Sequence, residues 1–169
     1  MDKNIVLIGM MGSGKTTVGR LLAQRLRRPF VDTDALIEER EGRSIPDIFN
    51  RDGEKVFRAL ELALSRELSG RDGLVIACGG GLPMQKEAIA ALKQNGLVFW
   101  LDRDPVETYD SMDLSHRPLA QSGRDDFIKR YQGRAPIYRR WSDHIIRAES
   151  PKKAEAMIAA IISSEVSEP

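Results

Sequence analysis

The apolar run Ile5-Val-Leu-Ile8 followed by Gly9-Met-Met-Gly-Ser-Gly-Lys-Thr16 constrains the fold of this chain more than any other stretch. It satisfies G-x-x-x-x-G-K-[ST] between a run of strand length and a helical pattern, the context in which that motif carries meaning. Gly9, Gly12 and Gly14 let the backbone bend so that successive N–H groups point inward at phosphate oxygens. The helix starting near Lys15 adds the positive end of its dipole. Lys15 is expected to reach the β- and γ-phosphates as a point charge, and the Thr16 hydroxyl to ligate Mg²⁺. The cradle predicts a bound nucleoside triphosphate, ATP foremost, poised to give up its terminal phosphoryl group. It does not identify the acceptor.

Short apolar runs alternate with longer amphipathic ones to the end of the chain. Strands are predicted at 5–8, 30–32, 74–78, 97–101 and 144–148, which makes the expected architecture an α/β P-loop NTPase fold: a five-stranded parallel sheet with helices on both faces. Val18, Leu21, Leu22 and Leu26 share one helical face, and Val56, Leu60, Ala63 and Leu64 are expected to share another. Gly96 reads as the stop after a helix around 87–93. Pro151 opens a last helix over 151–163. No repeat or linker divides residues 1–169, so one domain is expected. Residues 33–70 carry helices with no strand between them, and 113–123 read as an exposed loop. These are the expected substrate-binding insert and mobile lid.

Composition narrows the partners. With 26 basic and 25 acidic residues the net charge is +1, so no global field favours nucleic acid or an anionic membrane surface. No segment approaches the length needed to span a bilayer, and the first apolar run is too short for a signal-peptide core. The single cysteine, Cys78, supports neither a disulfide framework nor a metal site. A cytoplasmic location is expected.

The acceptor side offers residues with two readings each. Asp32 and Asp34, in Val31-Asp-Thr-Asp-Ala35, follow a strand whose alternation would aim both carboxylates one way, for Mg²⁺ and for a hydroxyl proton. Equally, they could cap the next helix. Arg58 could be a ligand or an i,i+4 partner of Glu54. Gly79-Gly-Gly81 suggests backbone approaching a ligand, or a crowded turn. Arg117 could close over phosphates or be a solvated loop charge, and Arg134, Arg139 and Arg140 could be a solvated helix face.

In order, the cradle, Asp-x-Asp, Arg58, Gly-Gly-Gly, Arg117-Pro-Leu and Arg134-x-Pro-x-Tyr resemble the shikimate kinase family over nearly the whole chain. The resemblance implies transfer of the terminal phosphoryl group of MgATP to the 3-hydroxyl of shikimate. By resemblance, Asp34 is the base, and Asp32 and Thr16 hold Mg²⁺. Arg58 and Arg134 clamp the shikimate carboxylate with Gly79, Gly80 and Gly81 against the same substrate. Lys15 and Arg117 stabilise the transferring group. Nucleotide contacts are implied at Gly12, Ser13, Gly14, Lys15, Thr16, Thr17, Arg117 and Pro151, and a monomer is implied. Members commonly carry an arginine shortly before Arg-Pro-Leu, packed on adenine. Here Tyr109-Asp-Ser-Met-Asp-Leu-Ser-His116 has none. The stretch from Arg117 to Arg134 is also short, and Ala120 replaces a frequent leucine. A gluconate-kinase-like small-metabolite kinase and a catalytically silent nucleotide-binding module are the rival expectations.

Overall fold

The computed structural model describes residues 2–112 and 123–166. In chain order it begins with β1 (Asn4–Ile8), α1 (Lys15–Leu26), β2 (Phe30–Asp32), α2 (Thr33–Glu41), α3 (Ile45–Asp52), α4 (Glu54–Ser69) and β3 (Val75–Ala77). A short 3₁₀ turn (Leu82–Met84) then leads to α5 (Lys86–Gln94), β4 (Gly96–Leu101), α6 (Pro105–Ser111), α7 (Arg124–Trp141), β5 (His144–Ile146) and α8 (Pro151–Val166). The strands form one five-stranded sheet in the order β2-β3-β1-β4-β5, with every pairing parallel. Among the described residues no helix is long and apolar enough to cross a membrane.

β1 lies in the middle of the sheet with all of its residues buried, which is why it reads as an unbroken apolar run and not as an alternating one. The strand period of two still divides its side chains. Ile5 and Leu7 face α1 and α8, packing with Val18, Leu22 and Ile158. Val6 and Ile8 face the opposite layer, which contains Ile37, Ile48, Phe57, Leu68, Leu92, Phe127 and Tyr138 from α2, α3, α4, α5 and α7. The predicted helices on both faces are therefore present.

Two local expectations are corrected. On α4 the buried stripe is Phe57, Glu61, Leu64, Ser65 and Leu68, while Val56 is 38% exposed and Ala63 is exposed. The face is rotated because Phe57, whose ring packs at a tilt on Phe49 of α3, outweighs Val56, and because a glutamate occupies a core position. Gly96 does not stop a helix. It is the first residue of β4, paired with Asn4, and Asn95 ends α5. A side chain at Gly96 would set its first carbon 2.5 Å from Leu92 O and 2.8 Å from Val6 Cγ2, so glycine is there for close helix–strand packing.

Three segments leave the carboxyl ends of neighbouring strands: the loop after β1, Asp32 at the end of β2, and Cys78–Gly81 after β3. Open α/β sheets bind their ligands at that edge. The helical stretch between β2 and β3 and helix α7 flank it. Most of the expected lid, 113–122, lies outside the described residues.

Candidate active site

The loop after β1 has the geometry its glycines require. Gly9, Gly12 and Gly14 take φ of 146°, 78° and 96°, values L side chains rarely adopt. Gly14 starts α1, and the helix has neither a side-chain cap nor an acidic residue in its first turn. Its leading N–H groups are thus left for an anion. Lys15, 9% exposed, folds back along the loop and donates from Nζ to Gly9 O and Met10 O, each at 2.7 Å. Gly12, Gly14, Lys15, Thr16 and Thr17 line a cavity of about 940 Å³, within the range of small-molecule sites.

Asp32 serves two purposes with its two oxygens. Oδ1 accepts the Ala35 N–H at 3.1 Å as the cap of α2, and Oδ2 accepts the Thr16 hydroxyl at 2.8 Å. The strand-alternation argument for the aspartate pair is corrected: the chain turns helical at Thr33, so Asp34 sits in the first turn of α2. Both side chains nevertheless line the same cavity. Among the described residues no group of three or more His, Cys, Asp or Glu could hold a metal. Magnesium bound with phosphates and water needs only one or two protein oxygens, so the Thr16–Asp32 pair fits it.

Asp34 is the perturbed carboxyl of the cavity. Burial, then the nearby carboxylates of Glu61 and Asp32, push its carboxyl up to about 6, with Lys15 opposing. Its Oδ1 is fully buried and has no hydrogen-bond partner among the described residues. That oxygen lies against the glycine turn.

All three glycines of the turn abut an acceptor-side candidate. A first side-chain carbon at Gly79 would stand 2.4 Å from Asp34 Oδ1, one at Gly80 3.2 Å from Arg134 Nη1, and one at Gly81 2.7 Å from Arg58 Nη2. The turn is itself held by Thr33, whose hydroxyl accepts the Gly79 N–H at 2.9 Å, and by Tyr138, whose hydroxyl donates to Gly80 O at 2.6 Å. Gly79 and Gly80 line the cavity. Arg134 adjoins Gly80 and Arg58 adjoins Gly81 at the same turn. Cys78 also lines the cavity, but burial drives its thiol far above the usual range, which makes it inert.

Sequence reasoning missed Glu61. It is 1% exposed, accepts from Arg58 Nη1 at 2.8 Å and from Gln85 Nε2 at 2.8 Å, and holds the guanidinium beside Gly81. Burial raises its carboxyl, while Arg58, Gln85 and Arg134 oppose. The Arg58–Glu54 pair that spacing suggested exists at 3.4 Å, but Glu61 is the closer anchor. A glutamate on the buried stripe of α4, three residues after an arginine, was the available signal.

Ser13 and Pro151 are brought together elsewhere. They line a smaller cleft of about 110 Å³ on the other side of the cradle, with Gly14, Asp102 and Arg103. Arg103, which the sequence did not single out, lines both spaces and donates to Gly12 O at 3.4 Å. Arg117 lies outside the described residues.

A family model described as shikimate kinase matches residues 11–165. The shikimate kinase of Symbiobacterium thermophilum is 50% identical over 125 residues, 72% of this chain and 71% of that protein. That of Sulfurihydrogenibium sp. is 38% identical over 165 residues, 97% of this chain and 98% of that one. The solved shikimate kinase from Acinetobacter baumannii in complex with shikimate is similar with a TM-score of 0.88 at 35% identity, over 97% of this chain and 95% of that structure. With a phosphate cradle facing a perturbed aspartate and a glycine turn backed by two arginines, the chain belongs to the shikimate kinase family.

Proposed function

We propose that in the shikimate kinase reaction Asp34 accepts the proton of the 3-hydroxyl as that oxygen attacks the terminal phosphorus of ATP, giving shikimate 3-phosphate and ADP. The observation that carries this is the largely buried carboxyl of Asp34, raised by that burial, on the wall of the cavity shared by the cradle and the glycine turn. A carboxyl near 6 is ionised at neutral pH yet basic enough to take the proton of an attacking hydroxyl. Arg58 and Arg134 meet the ring carboxylate, where planar guanidinium forks suit two parallel hydrogen bonds.

The cradle amides and Lys15 hold the phosphates, and Lys15 exchanges its loop carbonyls for phosphate oxygens when nucleotide enters. Thr16 and Asp32 would hold Mg²⁺. When bound, the ion neutralises charge between the phosphates. Arg117 is assigned to the same charge through the family resemblance, Thr17 and Ser13 to the nucleotide phosphates, and Pro151 to the nucleoside end. Residues 33–70 act as the substrate-binding insert of a single monomeric domain. Cytoplasmic residence is supported by a lone buried thiol and near-neutral charge.

A coupled assay of ADP release tests the reading: shikimate-dependent turnover is expected. Turnover on gluconate alone, or ATP binding without any turnover, would overturn it. The metal assignment has its own test. Asp32→Asn keeps the cap oxygen but removes the charge beside Thr16, so the Mg²⁺ concentration for half-maximal rate is expected to rise about 10-fold. An unchanged Mg²⁺ titration would remove Asp32 from that role.

A further inference from the structure

Arg103 stands where the two spaces around the cradle meet, and its backbone is fixed from both sides. Leu101 ends β4 in register with Ile146 of β5, and the Asp102 N–H donates to Ile146 O at 3.0 Å. Immediately after Arg103, Asp104 caps α6, its Oδ1 accepting from the N–H groups of Val106 at 2.9 Å and Glu107 at 3.0 Å. The end of α6 is seated on the cradle loop: a first side-chain carbon at Gly12 would stand 2.7 Å from Met112 Sδ and 3.1 Å from Thr108 Cγ2. From this corner the long Arg103 side chain reaches back over the loop. Among the described residues its guanidinium makes one hydrogen bond, from Nη1 to Gly12 O at 3.4 Å.

The surrounding charges leave that guanidinium for a ligand. Asp102 and Glu149 line the smaller cleft with Arg103, and both carboxylates are committed elsewhere. Asp102 accepts the Tyr131 hydroxyl at 2.7 Å and Arg147 Nε at 3.0 Å, and Glu149 pairs with Lys153. A neutral carbonyl at 3.4 Å is a long, weak partner for a cation, so the Gly12 contact is readily exchanged. Arg103 and Gly14 line both the main cavity and the smaller cleft. The main cavity carries Lys15, Thr16 and Thr17, and the cleft carries Ser13 and Pro151. A nucleotide laid along the cradle with its terminal phosphate toward Asp34 has its α-phosphate at the junction of the two.

We propose that Arg103 is a nucleotide-binding residue whose guanidinium meets the α-phosphate where the phosphate cavity opens into the nucleoside cleft. The proposal rests on the reading of the cradle as the ATP site. When nucleotide enters, Arg103 gives up the Gly12 carbonyl for phosphate oxygens, which a planar guanidinium meets with two parallel hydrogen bonds. The α-phosphate is not transferred, so the contact is the same with ATP, in the transition state and with ADP. Uniform binding of this kind sets KM and leaves kcat almost unmoved. The two cations of the cradle thus divide the nucleotide: Lys15 follows the β- and γ-phosphates, and Arg103 holds the part that stays behind.

Titration of ADP onto the full chain, with kcat and KM for ATP measured beside it, tests this. Arg103→Ala is expected to weaken ADP and to raise KM for ATP by roughly 10-fold, while kcat changes by less than about 3-fold. Arg103→Lys keeps the charge and is expected to lose about 3-fold or less, whereas Arg103→Gln, which keeps length and a planar end without charge, falls with alanine. Shikimate affinity without nucleotide is expected to be unchanged in all three, because the acceptor end is untouched. Phosphorus NMR of bound ADP locates the contact: the α resonance shifts between wild type and Arg103→Ala, and the β resonance stays. Wild-type ADP affinity in Arg103→Ala, a loss confined to kcat, or a shift at the β resonance alone overturns the proposal. So does a glutamine variant that keeps the affinity lysine loses, since stacking on the purine and not charge would then be at work. A wild type that binds no ADP overturns the cradle reading and the proposal together.

Discussion

Asp34→Asn is expected to lower kcat by about 10²–10⁴-fold while ADP binding stays within a few-fold of wild type. Asparagine keeps the shape beside Gly79 and the polar contact with an incoming hydroxyl. It cannot take the proton. Because the variant still holds the cradle, Lys15 and Thr16, loss of kcat with nucleotide affinity preserved separates the proton role from phosphate binding. An unchanged kcat would remove Asp34 from it.

The same substitution is expected to stabilise the protein at neutral pH. The Asp34 carboxyl is raised from 3.8 to about 6, so the folded state holds its proton more tightly than the unfolded chain does. Below about pH 4 the group is protonated in both states and adds no penalty. As pH rises through 6 the folded protein must bear a buried charge, and stability falls by at most roughly 3 kcal/mol. Removing the charge restores that loss, which for a chain of this size amounts to a Tm several degrees higher at pH 8. In the wild type, kcat/KM is expected to fall tenfold per pH unit below about 6, reporting the free enzyme's base. A pH profile flat to pH 5, or a variant less stable at pH 8, would contradict the assignment.

How far the sequence discloses this site depends on how local each determinant is. The cradle is legible because contiguous glycines and a lysine specify it within a single loop, and β1 because its burial on both faces leaves an unbroken apolar run. Asp32 and Asp34 were legible as a pair, but through the wrong geometry, since capping at Asp32 starts α2 a residue too early for strand alternation. Glu61 was hidden because a charged residue on a helix ordinarily marks the solvent face, and only the fold brings Gln85 and Arg58 to it. The meaning of Gly79–Gly81 likewise required three side chains from α2, α4 and α7 to arrive at one turn.

Arg134→Ala is expected to raise KM for shikimate by roughly 10²–10³-fold, the range set by removing one partner of a desolvated, charge-assisted contact, with KM for ATP changed far less. Arg134→Lys, which keeps the charge and loses the planar fork, should fall between the two, because a point charge cannot reproduce two parallel hydrogen bonds to a carboxylate. A secondary effect follows from Glu61. Arg134 is one of the groups that oppose the burial-driven rise of the Glu61 carboxyl, so its loss pushes that carboxyl further up. Protonation of Glu61 then weakens the anchor of Arg58, and KM for shikimate in Arg134→Ala should begin to climb at a higher pH than in the wild type as the solution is made more acid. Arg134 and Arg58 stand beside Gly80 and Gly81, where a side chain on either glycine would crowd a guanidinium. A defect confined to ATP, or no change in KM for shikimate, would show that the carboxylate is held elsewhere in the cavity and that these two arginines serve the packing of α4 and α7.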